Sequence, residues 1–461
     1  MKITLVNPPY PPNAHAHPPF IPLGIGYLAA VCEKNDHEVS VIDCQAEHLN
    51  YSDFRSRLER MDSDVVGVTS TTLTYKSALK VTTIAKEVLP GCTTAMGGSH
   101  VTFWDENALR ECPSLDIVVR REGEITFLEL LERLKSKRGL SGVKGTTYRT
   151  SDGGFARNED RPFIENLDEL PFPAFHLMHL SSFHRVGKTL FPLVTSRGCV
   201  YWCDFCTAVR MFGRGYRMRS PKNVVDEMEM LCNKYGESQF TFYDDAFTVD
   251  RPRVEKICEE IHRRKLRIQW DCGTRVDMVD RELLQKMKDA GCIVVWFGVE
   301  SGSQQIIEKM HKRFRLDQTK RAFQTARELG LMTVGSVVLG FPGETEQTAW
   351  DTINFVKEID PDSIGYYVAT PYPGTPLYEQ VKENGWLRST DFDRYDTATP
   401  TFETPQLSME KLAEIRYKAY QQFYLRPSYM LRMLSKGGIY GISAVKTSLA
   451  YAIRALHLRL S

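Results

Sequence analysis

The sequence has no run of about 18 apolar residues, so it offers no candidate for a membrane-spanning helix. It opens on Met1-Lys-Ile-Thr-Leu-Val-Asn-Pro, a strand pattern running into a turn, so a leading signal peptide is not expected. Charge of one sign is missing as well. The 59 basic and 58 acidic side chains leave +1, too weak a field to suggest a nucleic-acid partner. No Gly-x-Gly-x-x-Gly follows the first strand, which argues against a nicotinamide site. Framework cysteines are lacking too. Eight of the eleven (Cys32, Cys44, Cys92, Cys112, Cys232, Cys258, Cys272 and Cys292) stand singly, as small buried apolar residues of a reducing cytoplasm do. The length and the 42% hydrophobic content predict about three soluble domains, each with its own core.

What is present is concentrated in Ser196-Arg-Gly-Cys-Val-Tyr-Trp-Cys-Asp-Phe-Cys-Thr207. Cys199, Cys203 and Cys206 form a C-x3-C-x2-C array. Three thiolates this close cannot satisfy one another as disulfides, but they can wrap one soft metal centre. The rival is a structural zinc, which wants four ligands where only three cysteines are local. A [4Fe–4S] cluster held by three cysteines keeps one iron open for a substrate or cofactor.

Before this stretch, strand patterns alternate with helical ones. Lys2–Val6, Val39–Asp43, Val65–Ser70, Thr93–Gly97 and Asp116–Val119 read as strands, with helical periodicity from Leu23 and again up to Leu134. Such alternation predicts a doubly wound parallel sheet with ligands at the carboxyl ends of its strands. Those ends carry Asn7-Pro8-Pro9-Tyr10, Ser70-Thr71-Thr72-Leu73-Thr74, Gly97-Gly98-Ser99-His100 and Glu122-Gly123-Glu124. They are either ordinary turn residues or donors and close-approach points for a bulky ligand. With the cysteines just past the first of them, six strand–helix repeats predict a partial (β/α)6 barrel. Its strands begin at Phe191, Phe240, Ile268, Ile293, Thr333 and Ser363, with Asp244, Asp245, Arg275, Glu300, Ser301 and Gly340 at their carboxyl ends. These acids and the arginine suit the ammonium, hydroxyls and carboxylate of an S-adenosylmethionine on the open iron, and Phe205 can stack on its adenine.

Taken together, the upstream loops resemble the cobalamin-binding domain that precedes a radical SAM domain. The cysteine stretch, Tyr243-Asp-Asp-Ala-Phe-Thr-Val-Asp250, Gly298-Val-Glu-Ser-Gly302, Gly340-Phe-Pro-Gly-Glu-Thr345 and Pro371–Tyr378 are similar to radical SAM motifs, over roughly residues 1–380. The resemblance implies Asp244 or Asp245 on the methionine amino group, Arg275 on its carboxylate and Glu300 on the ribose. Asp-x-His-x-x-Gly is absent after the first strand, where Asn7-Pro8 stands instead. The corrinoid is therefore expected without a histidine ligand, with Thr71–Thr74 below the cobalt and Leu73 nearest to it. His100 is then a contact to the corrinoid tail or a structural residue.

The resulting organisation is a cobalamin-binding domain (1–140), a linker (141–188) holding a small hairpin and Leu170-Pro-Phe-Pro-Ala-Phe-His176, a radical SAM barrel (189–385) and a helical C-terminal domain (386–461). In the linker His176, His179 and His184 lack paired ligand spacing. From Ile415 onward there is no acid, while Arg416, Lys418, Arg426, Arg432, Lys436, Lys446, Arg454 and Arg459 are basic. Those helices either cap the barrel or form a docking surface. The resemblance implies a cytoplasmic C-methyltransferase with a [4Fe–4S] cluster, S-adenosylmethionine, methylcobalamin and an external electron donor such as flavodoxin or ferredoxin. A 5′-deoxyadenosyl radical would take hydrogen from an unactivated carbon, and methylcobalamin would deliver the methyl group. Tyr366, Tyr367 and Tyr372 are expected near the barrel mouth, positioning substrate or relaying a proton, or else as packing tyrosines. The basic tail suggests a polypeptide substrate, such as a glutamine of methyl-coenzyme M reductase. The alternatives are a methyltransferase of a small natural product or lipid, a cobalamin-linked cyclase or oxidase, and a non-catalytic corrinoid sensor.

Overall fold

Strand β1 (Lys2–Asn7) is buried from its second residue onward. It sends Ile3 and Leu5 to one face and Val6 to the other, as the two-residue period of a strand requires. A computed structural model describes residues 1–11, 20–180 and 191–436. In it β1 lies inside a seven-stranded sheet of order β2-β1-β3-β4-β5-β6-β7. Strands β2 (Glu38–Asp43), β3 (Val65–Thr69), β4 (Thr93–Gly97) and β5 (Ile117–Val119) run parallel to it. Helices Leu23–Lys34 and Glu124–Lys135 cover one face, and Tyr51–Leu58, Tyr75–Val88 and Asp105–Glu111 the other. This is the expected doubly wound sheet, and its strand order reverses between β1 and β3, where such folds place ligands.

The hairpin expected in the linker joins this sheet instead. Strands β6 (Thr146–Arg149) and β7 (Phe155–Arg157) extend it antiparallel, with Ile117 opposite Tyr148. Without them β5 would be an uncovered edge, so the first domain runs past 140 to Arg157. The proline segment after it is pinned between domains. Ala174 N–H donates to Gly26 O at 3.0 Å, and Phe175 packs against Phe191 with ring centroids 5.0 Å apart. Gly26 permits that approach, because a Cβ there would stand 2.4 Å from Met178 Cε. His176 pairs with Glu33 at the surface, His179 is exposed, and His184 lies outside the described residues.

The second sheet has six parallel strands in the order β8-β11-β12-β13-β14-β15. They are β8 (Phe191–Leu193), β11 (Gln239–Phe242), β12 (Gln269–Arg275), β13 (Cys292–Glu300), β14 (Met332–Leu339) and β15 (Ser363–Val368). Their helices start on recognisable signals. Ser220 accepts from Asn223 N–H ahead of Pro221, and Asp250 from Arg253 N–H ahead of Pro252. This is the expected partial barrel. Six strands do not close, so β15 has a free edge. The helix Met409–Tyr424 covers it with side chains. Tyr420 Oη accepts from Tyr366 N–H (3.1 Å), Tyr424 Oη accepts from Ile364 N–H (3.0 Å), and Arg416 Nε donates to Tyr366 O (2.7 Å).

The C-terminal helices are therefore part of the barrel wall. Leu412, Ile415, Ala419 and Phe423 share its core, and the helical part begins at Met409 after loops and short bridges. Arg426 pairs with Asp360 (2.7 Å) and Arg432 with Asp362 (2.9 Å). These arginines hold the helices to the barrel and are not a free basic face. Lys446, Arg454 and Arg459 lie outside the described residues. No helix among the described residues is long and apolar enough to cross a membrane.

Candidate functional site

The cysteine loop leaves the barrel where β8 ends. Strand β9 (Ser196–Arg197) pairs antiparallel with β10 (Arg217–Met218) and closes the loop at its base. Gly198 has φ +90°, and a Cβ there would lie 2.4 Å from Gly215 O, so only glycine fits between the base and Cys199. Asp204 anchors the far side, accepting from His311 Nδ1 (2.8 Å) with its carboxylate and from Leu377 N–H (3.1 Å) with its carbonyl. The three thiols are half-buried and lie within electrostatic reach of one another. Burial pushes all three upward, Cys206 to about 12, while the Lys312 ammonium pulls each the other way. Ala208 N–H donates to Cys206 Sγ at 3.5 Å. Among the described residues no three histidine, cysteine or carboxylate side chains are gathered tightly enough to hold a metal ion. The donor set itself fits an iron–sulfur centre: three soft sulfurs on one loop, a helix-start N–H on one of them, and a cation beside all three.

Beside the loop stand the barrel-end residues. Arg275 is buried, stacks its guanidinium 3.5 Å from the Tyr201 ring centroid, and is held by Asp277 (2.9 Å) and by Lys312 O (2.6 Å). Its Nη1 is buried without a partner, so it retains one donor for an anion. Glu300 sits at φ +61° and pairs with Lys312 Nζ at 2.6 Å. Phe205 is half-buried, with Lys312 Nζ 5.9 Å from its ring centroid. Asp244 and Asp245 separate. Asp244 accepts from Thr195 N–H (2.7 Å), Thr195 Oγ1 (2.5 Å) and Ser196 Oγ (2.7 Å), which ties β11 to the base of the cysteine loop. Asp245 faces a cavity, and burial followed by the Asp244 charge pushes its carboxyl up to about 6. Ser301 bonds Thr352 (3.0 Å), and Gly340 N–H donates to the buried Glu344, so both shape loops.

In the first domain, Gly98 has φ +109° and would place a Cβ 2.4 Å from Ser70 O, which brings the loops after β3 and β4 together. Thr71 bonds Thr74 (3.0 Å), and Thr72 bonds His100 Nδ1 (3.1 Å). His100 is buried among Tyr75, Phe392 and Trp104, and burial lowers its pKa to about 3, so it stays neutral and supports Thr72 from beneath. Asn7 donates to Asp43 at 2.8 Å, and the Pro8 carbonyl accepts from Gln45.

Two cavities join the domains. One, of about 280 Å³, is walled by Leu5, Gly67, Ala95, Gly97, Gly123 and Phe127 from the first sheet and by Arg197 and Asp245 from the barrel. Its walls are mostly apolar. The other, of about 270 Å³, brings Thr71, Thr72, Leu73 and Ser99 against Thr207 of the cysteine loop and against Tyr372. Glu122 and Glu124 line the larger cavity and are held there by ion pairs. Glu122 accepts from Arg197 (3.0 Å), the half-buried Arg217 (2.7 Å) and Ile164 N–H (2.8 Å), and Glu124 from Arg197 (2.6 Å). This clamp couples the first sheet to the residue two before Cys199.

Of the three tyrosines expected at the mouth, Tyr366 is not there. It is fully buried on the helix-facing side, 5.1 Å from the Tyr420 ring, because neighbours on a strand point to opposite faces. Tyr367 consequently faces the barrel interior, and Tyr372 lines the smaller cavity. Lys312, Tyr201, Asp277, Arg197 and Arg217 were missed from sequence. Arg197 was findable by adjacency to the cysteines, whereas nothing distinguishes Lys312 among 59 basic residues.

Residues 193–356 match the model of the radical SAM superfamily, and residues 12–131 that of a B12 binding domain. An uncharacterised methyltransferase of Pyrococcus horikoshii is 38% identical over 89% of each chain. The anaerobic magnesium-protoporphyrin IX monomethyl ester cyclase of Rubrivivax gelatinosus is 28% identical over 93% of this chain and 78% of its own. The structure of TsrM, a radical S-adenosylmethionine methyltransferase from Kitasatospora setae with cobalamin and [4Fe–4S] cluster bound, has a TM-score of 0.72 at 21% identity. It covers 85% of this chain and 79% of that one, a likeness of fold.

Proposed function

The chain belongs to the radical SAM superfamily, in the branch that carries a B12-binding domain, and from that premise we propose a reaction: methylation of an unactivated sp3 carbon. It is a cobalamin-dependent radical SAM methyltransferase whose cofactors are a [4Fe–4S] cluster, S-adenosylmethionine and cobalamin, and it requires an external reductant. When bound, the cluster with S-adenosylmethionine supplies a hydrogen-abstracting 5′-deoxyadenosyl radical, and the corrinoid supplies the methyl group. Everything else falls to side chains. Cys199, Cys203 and Cys206 would hold the cluster, with a rearrangement of their loop on ligation. Arg275 Nη1 is the free donor for the methionine carboxylate, and Asp245 the acceptor for its ammonium. Glu300, paired with Lys312, would take the ribose hydroxyls. Leu73 would present an apolar face to the corrinoid.

The observation that carries this reading is the smaller cavity. Its walls are the Thr71–Leu73 loop on one side and Thr207, next to Cys206, on the other, so the first-domain loop and the end of the cysteine loop face one space, which supports two cofactors working on one substrate. The polypeptide substrate drew on the basic tail, whose Arg416, Arg426 and Arg432 are bound to the barrel. A small molecule that fits inside the barrel is the better reading.

Anaerobic turnover with S-adenosylmethionine carrying a deuterated methyl group tests the reaction. Label is expected in the product, alongside 5′-deoxyadenosine. A Cys199→Ala variant should lose bound iron and 5′-deoxyadenosine together while keeping its corrinoid. Unlabelled product formed with 5′-deoxyadenosine would instead assign a cyclase or oxidase, as the Rubrivivax relative is named. Cleavage persisting without Cys199 would refute the cluster assignment.

A further inference from the structure

The cysteine loop has an outer face as well as an inner one. Tyr201 turns inward onto Arg275, while its neighbours Val200 and Trp202 are 53% and 36% exposed. Neither of them lines the two cavities between the domains, to which the loop and the short helix Ala208–Phe212 give Thr207, Met211 and Phe212. Two cations fix the indole in place. Arg214 lies 4.1 Å from its ring centroid, and Arg210, on that short helix, 4.5 Å. Among the described residues neither arginine has an acidic partner, unlike Arg197 and Arg217, which are engaged by Glu122. From Cys199 to Gly215 the one acid is Asp204, and His311 occupies it. The segment that carries His311 adds the exposed Lys309 and Arg313 against one exposed acid, Glu308. The outer face of the loop is therefore an accessible ring and a valine set in uncompensated positive charge.

Tryptophan and arginine are the side chains on which protein interfaces anchor, and unneutralised cations beside them select an acidic partner and speed its encounter. Position narrows the partner further. Val200 directly follows Cys199 and Trp202 directly precedes Cys203, so the patch is the solvent side of the stretch whose sulfurs would hold the cluster. The cavities on the inner side, of about 280 and 270 Å³, admit no protein. An electron carried by a protein has to arrive through the outer face. Resting on the radical SAM reading, which requires an external reductant, we propose that Val200, Trp202, Arg210 and Arg214 form the docking site of a small acidic one-electron carrier protein. The carrier is oxidised by one electron and the cluster reduced by one, and no bond is made or broken between the two proteins. Encounters between redox proteins are small and transient, burying less than about 1,200 Å², so a patch of this size can serve as their centre.

An acidic flavodoxin is a suitable probe, used with the full chain loaded with cluster and corrinoid. Binding is read from the fluorescence anisotropy of labelled flavodoxin. Reduction of the cluster is read from its paramagnetic signal, with flavodoxin hydroquinone or, separately, dithionite as the donor. Saturable binding that weakens with added salt is expected. Arg210→Glu/Arg214→Glu should weaken binding and slow flavodoxin-driven reduction by about tenfold or more, while dithionite-driven reduction stays at the parent rate. Arg210→Gln/Arg214→Gln should act in the same direction to a smaller extent, and it serves if the charge reversal misfolds. Trp202→Ala should also weaken binding, and Trp202→Phe less so. Arg267→Glu, just before β12 at the opposite end of the barrel strands, should change nothing. The assignment is overturned if the parent does not bind flavodoxin, if the arginine variants bind it unchanged, or if Arg267→Glu loses as much. Equal slowing with dithionite would overturn it too, as would a parent dimer that the reversal splits without affecting flavodoxin. Dithionite-driven formation of 5′-deoxyadenosine by the parent, with S-adenosylmethionine added, tests the radical reading separately. Its presence alongside failed flavodoxin binding rejects the docking site alone, and its absence rejects the radical reading whatever flavodoxin does.

Discussion

At the scale of single residues, the site is governed by which polar groups are already satisfied. Arg275 and Asp277 form a closed pair that still leaves Nη1 without an acceptor, so the arginine can recruit a carboxylate without breaking anything. Asp244 is the opposite case, with three donors on its two oxygens. Glu344 is a third type. It is fully buried, accepts only from Gly340 N–H, and burial pushes its carboxyl up to about 8. A folded pKa above the unfolded one gives stability that is complete below about pH 4.5 and lost as pH rises through about 8. Glu344→Gln, which cannot ionise, should therefore be close to the parent in thermal melts at about pH 6 and more stable at about pH 9. A variant–parent difference that does not grow with pH would contradict the buried-acid account.

At the scale of elements, two devices hold the cysteine loop. The short β9–β10 pair closes its base, and the Glu122–Glu124–Arg197–Arg217 clamp fixes that base to the helix Glu124–Lys135 of the first domain. Burial and ion pairing pull in opposite directions here. Burial disfavours the Glu124 carboxylate, but the Arg197 charge outweighs it and holds the group below the usual carboxylate range. Removing one member leaves buried charge uncompensated, at a cost of about 3–5 kcal/mol. Arg197→Ala should lower the unfolding midpoint. In the holoenzyme it should also raise the ratio of 5′-deoxyadenosine to methylated product, because the two cofactor sites lose their common mount. A melting change without any change in that ratio would make the clamp purely structural.

At the scale of the whole molecule, two sheets meet with the carboxyl ends of their strands turned to shared cavities. The N-terminal sheet supplies small residues and hydroxyls to that space, and the barrel supplies the cysteine loop and charged strand ends. A ligand bound between them stabilises both by mass action, about 2.7 kcal/mol at a hundredfold excess over Kd. Hydroxocobalamin is therefore expected to raise the melting midpoints of both domains, in the parent and in a Cys199→Ala/Cys203→Ala/Cys206→Ala variant alike. A shift confined to one of two separate transitions would place the corrinoid inside a single domain.

Periodicity and spacing alone carried much of this. The cysteine array, the two sets of parallel strands and their glycine and hydroxyl loops were legible because each is a local pattern, fixed by strand alternation, turn chemistry and ligand spacing. The hairpin was legible as a hairpin, but not as an extension of the first sheet, since edge pairing depends on which strand lies exposed. The roles of individual acids were not legible either. Asp244 and Asp245 are adjacent in sequence, and only the packing of Thr195 against one of them decides which remains available. Tyr366 and Tyr367 are likewise equivalent in composition, and only the helix Met409–Tyr424 on one face of β15 decides that Tyr367 faces the interior. The sequence by itself determined the cofactor chemistry, because ligands and loops are short-range. Tertiary structure alone decided which side chains keep a free donor, a free acceptor or an open ring, because that depends on partners more than forty residues away.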